Sequence, residues 1–237
     1  MNGPYLNLMK RSFDPAVLEM MDRPQPVSTE LERDLERLRQ LNRWFGSYRL
    51  VSLFMRRWIL PGAQMRVVDL ATGSGDIPRL IVDHARKIGA QIEIDAVDQQ
   101  PATLEIARRL SAEYPEISYH TANILEWDCA EGYDISLCSL ALHHFSDDDA
   151  VKLLQRCGEL SKRFVLVSDL RRGFLLRAGV HMLTALIFRE PMMRFDARLS
   201  AQRAFSFVEM RELAIRAGWK NFGHKKFRFG RQAVWLD

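Results

Sequence analysis

A chain of 237 residues, 47% apolar and 27% charged, is long enough to bury one large core and has the composition of a globular protein rather than a disordered or fibrous one. Its net charge of +4 is too small an excess to mark a nucleic-acid-binding module, and no DNA partner is expected. Cys129, Cys138 and Cys157 are odd in number and lack C-x-x-C spacing, which argues against a disulfide framework or zinc site; the first residues lack an apolar run after a basic start, so the cytoplasm is the default expectation.

Thr29-x-x-Glu32 reads as a capping box opening a helix with Leu31, Leu35, Leu38 and Leu41 on one side. A second helix follows Gly46, carries Val51, Phe54, Met55 and Trp58, and stops before Pro61-Gly62. Residues 1–62 are thus expected to form a helical cap, with Met20-Met21-Asp22 packed over the cleft of a domain spanning 63–237. Val67-Val68-Asp69 then reads as a buried strand ending in an acid. Gly73 and Gly75 allow a tight turn that can approach a ligand closely, and Asp76 is placed to cap a helix bearing Ile77, Leu80, Ile81 and His84.

A second strand, Ile92 to Asp98, ends 23 residues past Gly75. An acid at that tip, with Gln99 beside it, is placed to take a ribose hydroxyl pair. A helix from Pro101 turns Leu104, Ala107 and Leu110 inward. Ile117–Ala122, Tyr133–Ser139 and Phe164–Asp169 read as three more strands, and Ser146-x-x-Asp149 opens a helix through Leu160. Near the end, Ser206-x-x-Glu209 opens a helix that closes at Gly218, and Phe222–Phe229 pairs with Gln232–Leu236 through Gly230-Arg231. Alternating strands and helices predict an α/β, doubly wound Rossmann-like sheet.

The turn also discriminates between nucleoside cofactors. A dinucleotide fingerprint needs a third glycine where Pro78 stands, and the Asp69 carboxylate would repel a pyrophosphate but suits an ammonium or sulfonium ligand. Asp69-Leu70-Ala71-Thr72-Gly73-Ser74-Gly75-Asp76 resembles motif I of the class I S-adenosylmethionine-dependent methyltransferases. It is most similar to the ubiquinone/menaquinone C-methyltransferases, which share alanine in place of the commoner glycine at Ala71. The resemblance covers roughly residues 40–237 and implies a seven-stranded sheet, S-adenosylmethionine as cofactor, and cofactor contacts from Asp69, Ala71, Thr72, Gly73, Gly75, Asp98 and Gln99.

Further positions follow from it. Asn123 stands where the family places an acid or amide against the adenine amine, with the Ile124 backbone beside it; the bland alternative is an asparagine satisfying its own turn. Tyr133–Leu140 resembles motif IV, which puts Ser139 and Leu140 beside the methionine moiety. It lacks the Asn/Asp-Pro-Pro-aromatic signature of enzymes that methylate exocyclic base amines. Asn42-Arg43-Trp44-Phe45-Gly46 resembles the stretch before motif I in the quinone enzymes, where Arg43 either meets the cofactor carboxylate or lies on the surface. These features, with Asp169-Leu170-Arg171-Arg172, also resemble bacterial methyltransferases of secondary metabolism.

Candidate catalytic residues are His144, His143 and Asp169. A histidine at this sheet edge can take a proton from a phenol or enol, or it can simply shape the loop. His144 is the better candidate at the cofactor edge and His143 the better structural one. Asp169 can orient a substrate hydroxyl and Arg172 bind an oxyanion, or the two can hold the next segment. Residues from about 173 to 205, rich in Met and Leu with an uncharged run from Ala178 to Phe188, are expected to form a helical lid after the fifth strand. His181, Met182 and Met192 are its candidate substrate contacts, against the reading of plain packing. Eleven apolar residues cannot span a bilayer. The arginines that punctuate the segment suit a solvated face, an anionic-substrate rim, or peripheral contact with a membrane surface. The paired carboxylates of magnesium-dependent catechol-type enzymes are not recognisable, so no metal is expected. O-methylation of a hydrophobic phenol or quinol leads, followed by C-methylation of a quinone precursor, then RNA or protein methylation, or a non-catalytic cofactor-binding subunit.

Overall fold

The computed structural model describes residues 10–186 and 190–237. Two helices, α1 (Thr29–Trp44) and α2 (Ser47–Trp58), precede β1 (Gln64–Leu70), α3 (Asp76–Ile88), β2 (Gln91–Asp98), α4 (Pro101–Leu110), β3 (Ile117–Thr121), β4 (Tyr133–Ser139), α5 (Asp147–Leu160) and β5 (Ser161–Leu170). Helices α6 (Phe174–Leu186) and α7 (Pro191–Arg203) are inserted ahead of α8 (Phe207–Arg216), β6 (Gly223–Phe227) and β7 (Arg231–Leu236). The strands lie in the order β3-β2-β1-β4-β5-β7-β6, with β7 alone running against its neighbours. This is the doubly wound Rossmann-like sheet the sequence predicts.

Helices cover both faces of the sheet, and the central strands are apolar on both sides in consequence. Successive side chains of β1 alternate between the two cores. Val67 packs with Val51, Phe54, Ile81 and Val82 of α2 and α3. Val68 packs with Leu153, Leu154 and Leu213 of α5 and α8. Leu31 and Leu35 of α1 bury against Ile106 of α4. Chain order reverses between β1 and β4, so a crevice opens beyond their C-terminal ends, where α/β sheets hold ligands.

Several local expectations shift. Ser28, one residue before the expected cap, accepts the Leu31 N–H and opens α1. Asp76 does not cap α3: Gly75 holds the N-cap position at φ 70°, and the Asp76 carboxylate instead accepts from the Tyr48 hydroxyl at 2.7 Å. The buried face of α3 is Ile77, Pro78, Ile81, Val82 and Ala85, with His84 at its margin. Leu110 is exposed rather than inward, because α4 ends there. Arg231 belongs to β7, so the β6–β7 turn runs over residues 228–230. The capping box at Ser206 and Glu209 is present with both reciprocal bonds. The end of the Ala178–Phe188 run, Arg189, and residues 1–9 lie outside the described residues.

Candidate active site

A cavity of about 950 Å³ occupies the crevice. That is the upper end of the roughly 300–1,000 Å³ typical of small-molecule pockets. Its inner half is built by the tips of β1, β2 and β4. There Asp69, Ala71, Thr72, Gly73, Asp98, Gln99, Ile124, Ser139 and Leu140 all line the wall. Its outer half is apolar and comes from α1, α6 and the β6–β7 turn, with Leu38, Leu176, Val180, Met182, Leu183 and Phe229 among its walls.

The turn after β1 follows from its residues. Asp98 Oδ2 accepts from the Gly73 N–H at 2.8 Å, which ties the two strand tips together, and its Oδ1 accepts from the Gln100 N–H at 3.0 Å within its own turn. Burial raises the Asp98 pKa against the pull of these two N–H groups. Ala71 and Leu140 sit at φ 59°, in the left-handed region that L-residues with a Cβ enter only at a cost. A Cβ on Gly73 would meet nothing within 4 Å, so that glycine leaves open space. Gly75 has a different reason: a Cβ there would lie 2.1 Å from the Tyr119 hydroxyl, and it does not line the cavity.

Asp69 is 1% exposed, and its Oδ2 has no hydrogen-bond partner among the described residues. Burial pushes its carboxyl up to about 8, with the Thr72 hydroxyl pulling the other way and Asp76 and Asp98 adding repulsion. A buried acid left in this state on a cavity wall suits a cationic group on the ligand.

Five ionisable side chains converge at the junction of the two halves. His143 Nδ1 lies 2.7 Å from Asp169 Oδ1, and the His143 N–H donates to Asp169 Oδ2 at 2.8 Å. His144 Nδ1 lies 2.7 Å from Asp22 Oδ2. Glu19, 2% exposed, sets Oε1 3.8 Å from His143 Nε2 and 3.9 Å from His144 Nε2. Burial opposes charge on His144, but Glu19, then the Asp22 hydrogen bond, outweigh it and lift its pKa to about 10. At neutral pH His144 is therefore an imidazolium, a cation and not the free base that its position suggests.

The N-terminal segment is held in place from several sides. Arg11 donates to the carbonyls of Arg203 and Phe145, the Met20 and Met21 N–H groups donate to Asp196, and Ser200 Oγ donates to Glu19 Oε1 at 2.7 Å. Met21 and Asp22 line the cavity, as expected of that segment.

Other expected site residues lie elsewhere. Asn123 is exposed and closes its own turn, accepting from the Leu125 N–H and donating to Glu126. Arg43 is exposed on α1, and Arg39 of the same helix lines the cavity in its stead. Asp169 is buried behind His143 and reaches no cavity wall. Arg172 turns inward to the Ala204 carbonyl and Glu209, and Arg171 lines the cavity instead. His181 is exposed, with Nδ1 3.0 Å from the Arg177 carbonyl. Met192 is buried away from the cavity, whereas Met182 lines it. Glu19 was not legible: it stands in an irregular segment, and the Ser200 that fixes it is 181 positions away.

Residues 67–163, from within β1 to the start of β5, match the family model described as a methyltransferase domain. The chain carries a methyltransferase domain. Solved structures of similar fold include the plantazolicin methyltransferase BpumL in complex with S-adenosylhomocysteine, with a TM-score of 0.63, 11% identity, and 88% of this chain and 90% of that one covered. The magnesium protoporphyrin IX methyltransferase from Synechocystis PCC 6803 gives 0.57 at 14% identity, over 91% and 90%. The S-adenosylmethionine-dependent methyltransferase SibL gives 0.61 at 17% identity, over 89% of this chain. The chain spans only 59% of the length of SibL. No curated protein sequence matches the chain. S-adenosylmethionine fits the methyltransferase's cavity: Asp98 stands at the β2 tip, Gly73 leaves room, and the unpartnered Asp69 Oδ2 can meet a cation. No helix among the described residues is long and apolar enough to cross a membrane.

Proposed function

We propose that this S-adenosylmethionine-dependent methyltransferase acts on a hydrophobic small molecule, by O-methylation of a phenol or quinol. The observation that carries this reading is the continuity of the cavity, from the acids of the strand tips, past His143 and His144, into the apolar wall of α6. In the bound state S-adenosylmethionine supplies a methyl group activated by its sulfonium. Asp98 takes the ribose hydroxyls, the Ile124 wall borders the adenine, and Asp69, Ser139 and Leu140 border the methionine end. Helices α6 and α7 act as the lid, and Leu176, Val180 and Met182 hold the acceptor and exclude water.

His144 works as a cation in this scheme. A phenol, with an ordinary pKa near 10, gives its proton to bulk solvent as it binds, because the phenolate is favoured beside an imidazolium; the phenolate oxygen then takes the methyl group and S-adenosylhomocysteine leaves. Asp22 fixes the ring through Nδ1, while Asp169 positions His143 behind it. C-methylation of an activated quinol ring is the second reading. Ala71 supports it, being the residue shared with the quinone C-methyltransferases that motif I resembles.

Purified enzyme, incubated with labelled S-adenosylmethionine and a panel of alkylated phenols and quinols, tests the proposal by mass analysis. A gain of one methyl with loss of the phenolic proton supports O-methylation, and retention of that proton supports the ring carbon. No transfer to any phenol or quinol, with transfer to RNA or protein, contradicts both.

A further inference from the structure

We propose that Glu19, His143 and His144 form a binding site for a divalent first-row transition ion, Zn²⁺ foremost, at the floor of the cavity. The inference rests on the reading above that these residues face the acceptor. It goes beyond that reading by replacing a proton with a metal ion as the cation there.

Three ligand atoms converge: Glu19 Oε1, His143 Nε2 and His144 Nε2 all lie within 4.8 Å of one another. Each imidazole turns its Nδ1 to a carboxylate, His143 to Asp169 and His144 to Asp22, both at 2.7 Å. That arrangement fixes both rings, places the proton on Nδ1, and aims both Nε2 atoms toward Glu19. It is the carboxylate–histidine–metal pattern that orients ligands and raises their basicity. Glu19 is itself held by Ser200 Oγ.

The spacing fits an ion better than a hydrogen bond. Glu19 Oε1 stands 3.8 and 3.9 Å from the two Nε2 atoms, beyond hydrogen-bond reach. Ligands about 2.0–2.1 Å from a tetrahedral zinc lie roughly 3.3–3.4 Å apart, so the two Glu19 separations need a contraction of about half an ångström, and the two Nε2 atoms, within 4.8 Å of one another, must close to the same spacing. Two imidazoles and one carboxylate with an open fourth position are the donor set of catalytic zinc centres, and magnesium would want more oxygen. Burial leaves that position on one side only: the side chains of Glu19 and His143 are 3% and 4% exposed, and that of His144, on the cavity wall, 22%. There the ion would take the place of the His144 proton and hold the acceptor's oxygen as the anion.

Metal-stripped enzyme titrated with Co²⁺, followed by visible absorption and by competition with Zn²⁺, tests the site without measuring activity. The expected result is one equivalent per chain, weakened at least about 100-fold in Glu19→Gln and in His144→Gln, and unchanged in the exposed control His181→Gln. Failure of the wild-type enzyme to take up a stoichiometric ion overturns the inference, as does uptake that Glu19→Gln leaves unaltered. S-adenosylhomocysteine affinity, measured on the same samples, separates the two claims. Retained cofactor binding with no metal uptake removes the metal site alone, and loss of both in the wild type removes the cavity's assignment as well.

Discussion

The Asp98 carboxylate holds the glycine turn of the neighbouring strand: its Oδ2 accepts from the Gly73 N–H at 2.8 Å. One side chain at the β2 tip thus shapes the β1 turn and faces the cavity that both strands line. Asp98→Ala should lower S-adenosylhomocysteine affinity by about 10- to 150-fold, since hydrogen bonds to a charged group contribute roughly 1.5–3 kcal/mol. Isothermal titration checks this, and an unchanged affinity would remove Asp98 from the cofactor site.

Cofactor binding should depend on pH through Asp69. Its folded pKa of about 8 lies above the ordinary carboxylate value, so the empty site holds a protonated acid at neutral pH. A raised acid pKa means that ionisation disfavours the fold: this group's contribution to stability is present at low pH and is lost as pH rises from the ordinary value of 3.8 through about 8. A cationic ligand favours the ionised form. Binding should therefore release a proton near pH 6 and tighten as pH rises toward 8. Titrations in buffers of different ionisation enthalpy count the proton, and none released at pH 6 would contradict the assignment.

Ala71→Gly should stabilise the protein. At φ 59° the Ala71 Cβ is strained, and glycine removes that strain at some cost in chain entropy. The net gain should be about 0.5–1 kcal/mol, a rise in melting temperature of about 2–4 °C or somewhat less for a chain of this size. Thermal denaturation measures it.

Asp169→Asn should separate positioning from binding. Asp169 is 1% exposed and receives both the backbone N–H and the ring Nδ1 of His143. The amide should cost about 1–3 kcal/mol in denaturant-monitored stability and slow turnover, while S-adenosylhomocysteine affinity holds. Loss of cofactor affinity in proportion to turnover would place Asp169 in the cofactor site instead.

Gly179→Leu probes the apolar half. Gly179 lines the cavity from α6, and a Cβ there meets nothing within 4 Å. Leucine also suits the helix better than glycine does. The acceptor's KM should change several-fold while cofactor affinity stays constant, and equal effects on both would mean that α6 does not sort acceptors.

β1 was legible because burial on both faces demands an apolar, β-branched run, as in Val67-Val68, and β2 because Ile92 and Ile94 alternate with Glu93 and Asp95; Gly73 and Asp98 marked the strand tips that line the inner half of the cavity. Helix starts at Ser146 and Ser206 were legible from local capping alone. What escaped depends on distant partners. Arg172 and Arg171 are neighbours in sequence, yet only the fold decides that the first turns to Glu209 and the second to the cavity. Asn123 and Arg43 matched a family pattern by position, but in this chain the first side chain satisfies its own turn and the second points to solvent. The charge on His144 comes from Glu19 and Asp22, more than 120 positions away, so its proton could not be read from the Leu142-His143-His144 stretch alone.

The most direct test supplies methyl-labelled S-adenosylmethionine and purified enzyme to an extract of the source cells, followed by phase separation. Label in an organic-soluble product, absent with Asp98→Ala enzyme, is the predicted result. Label confined to RNA or protein, or none transferred while the enzyme still binds S-adenosylhomocysteine, would contradict methylation of a hydrophobic small molecule.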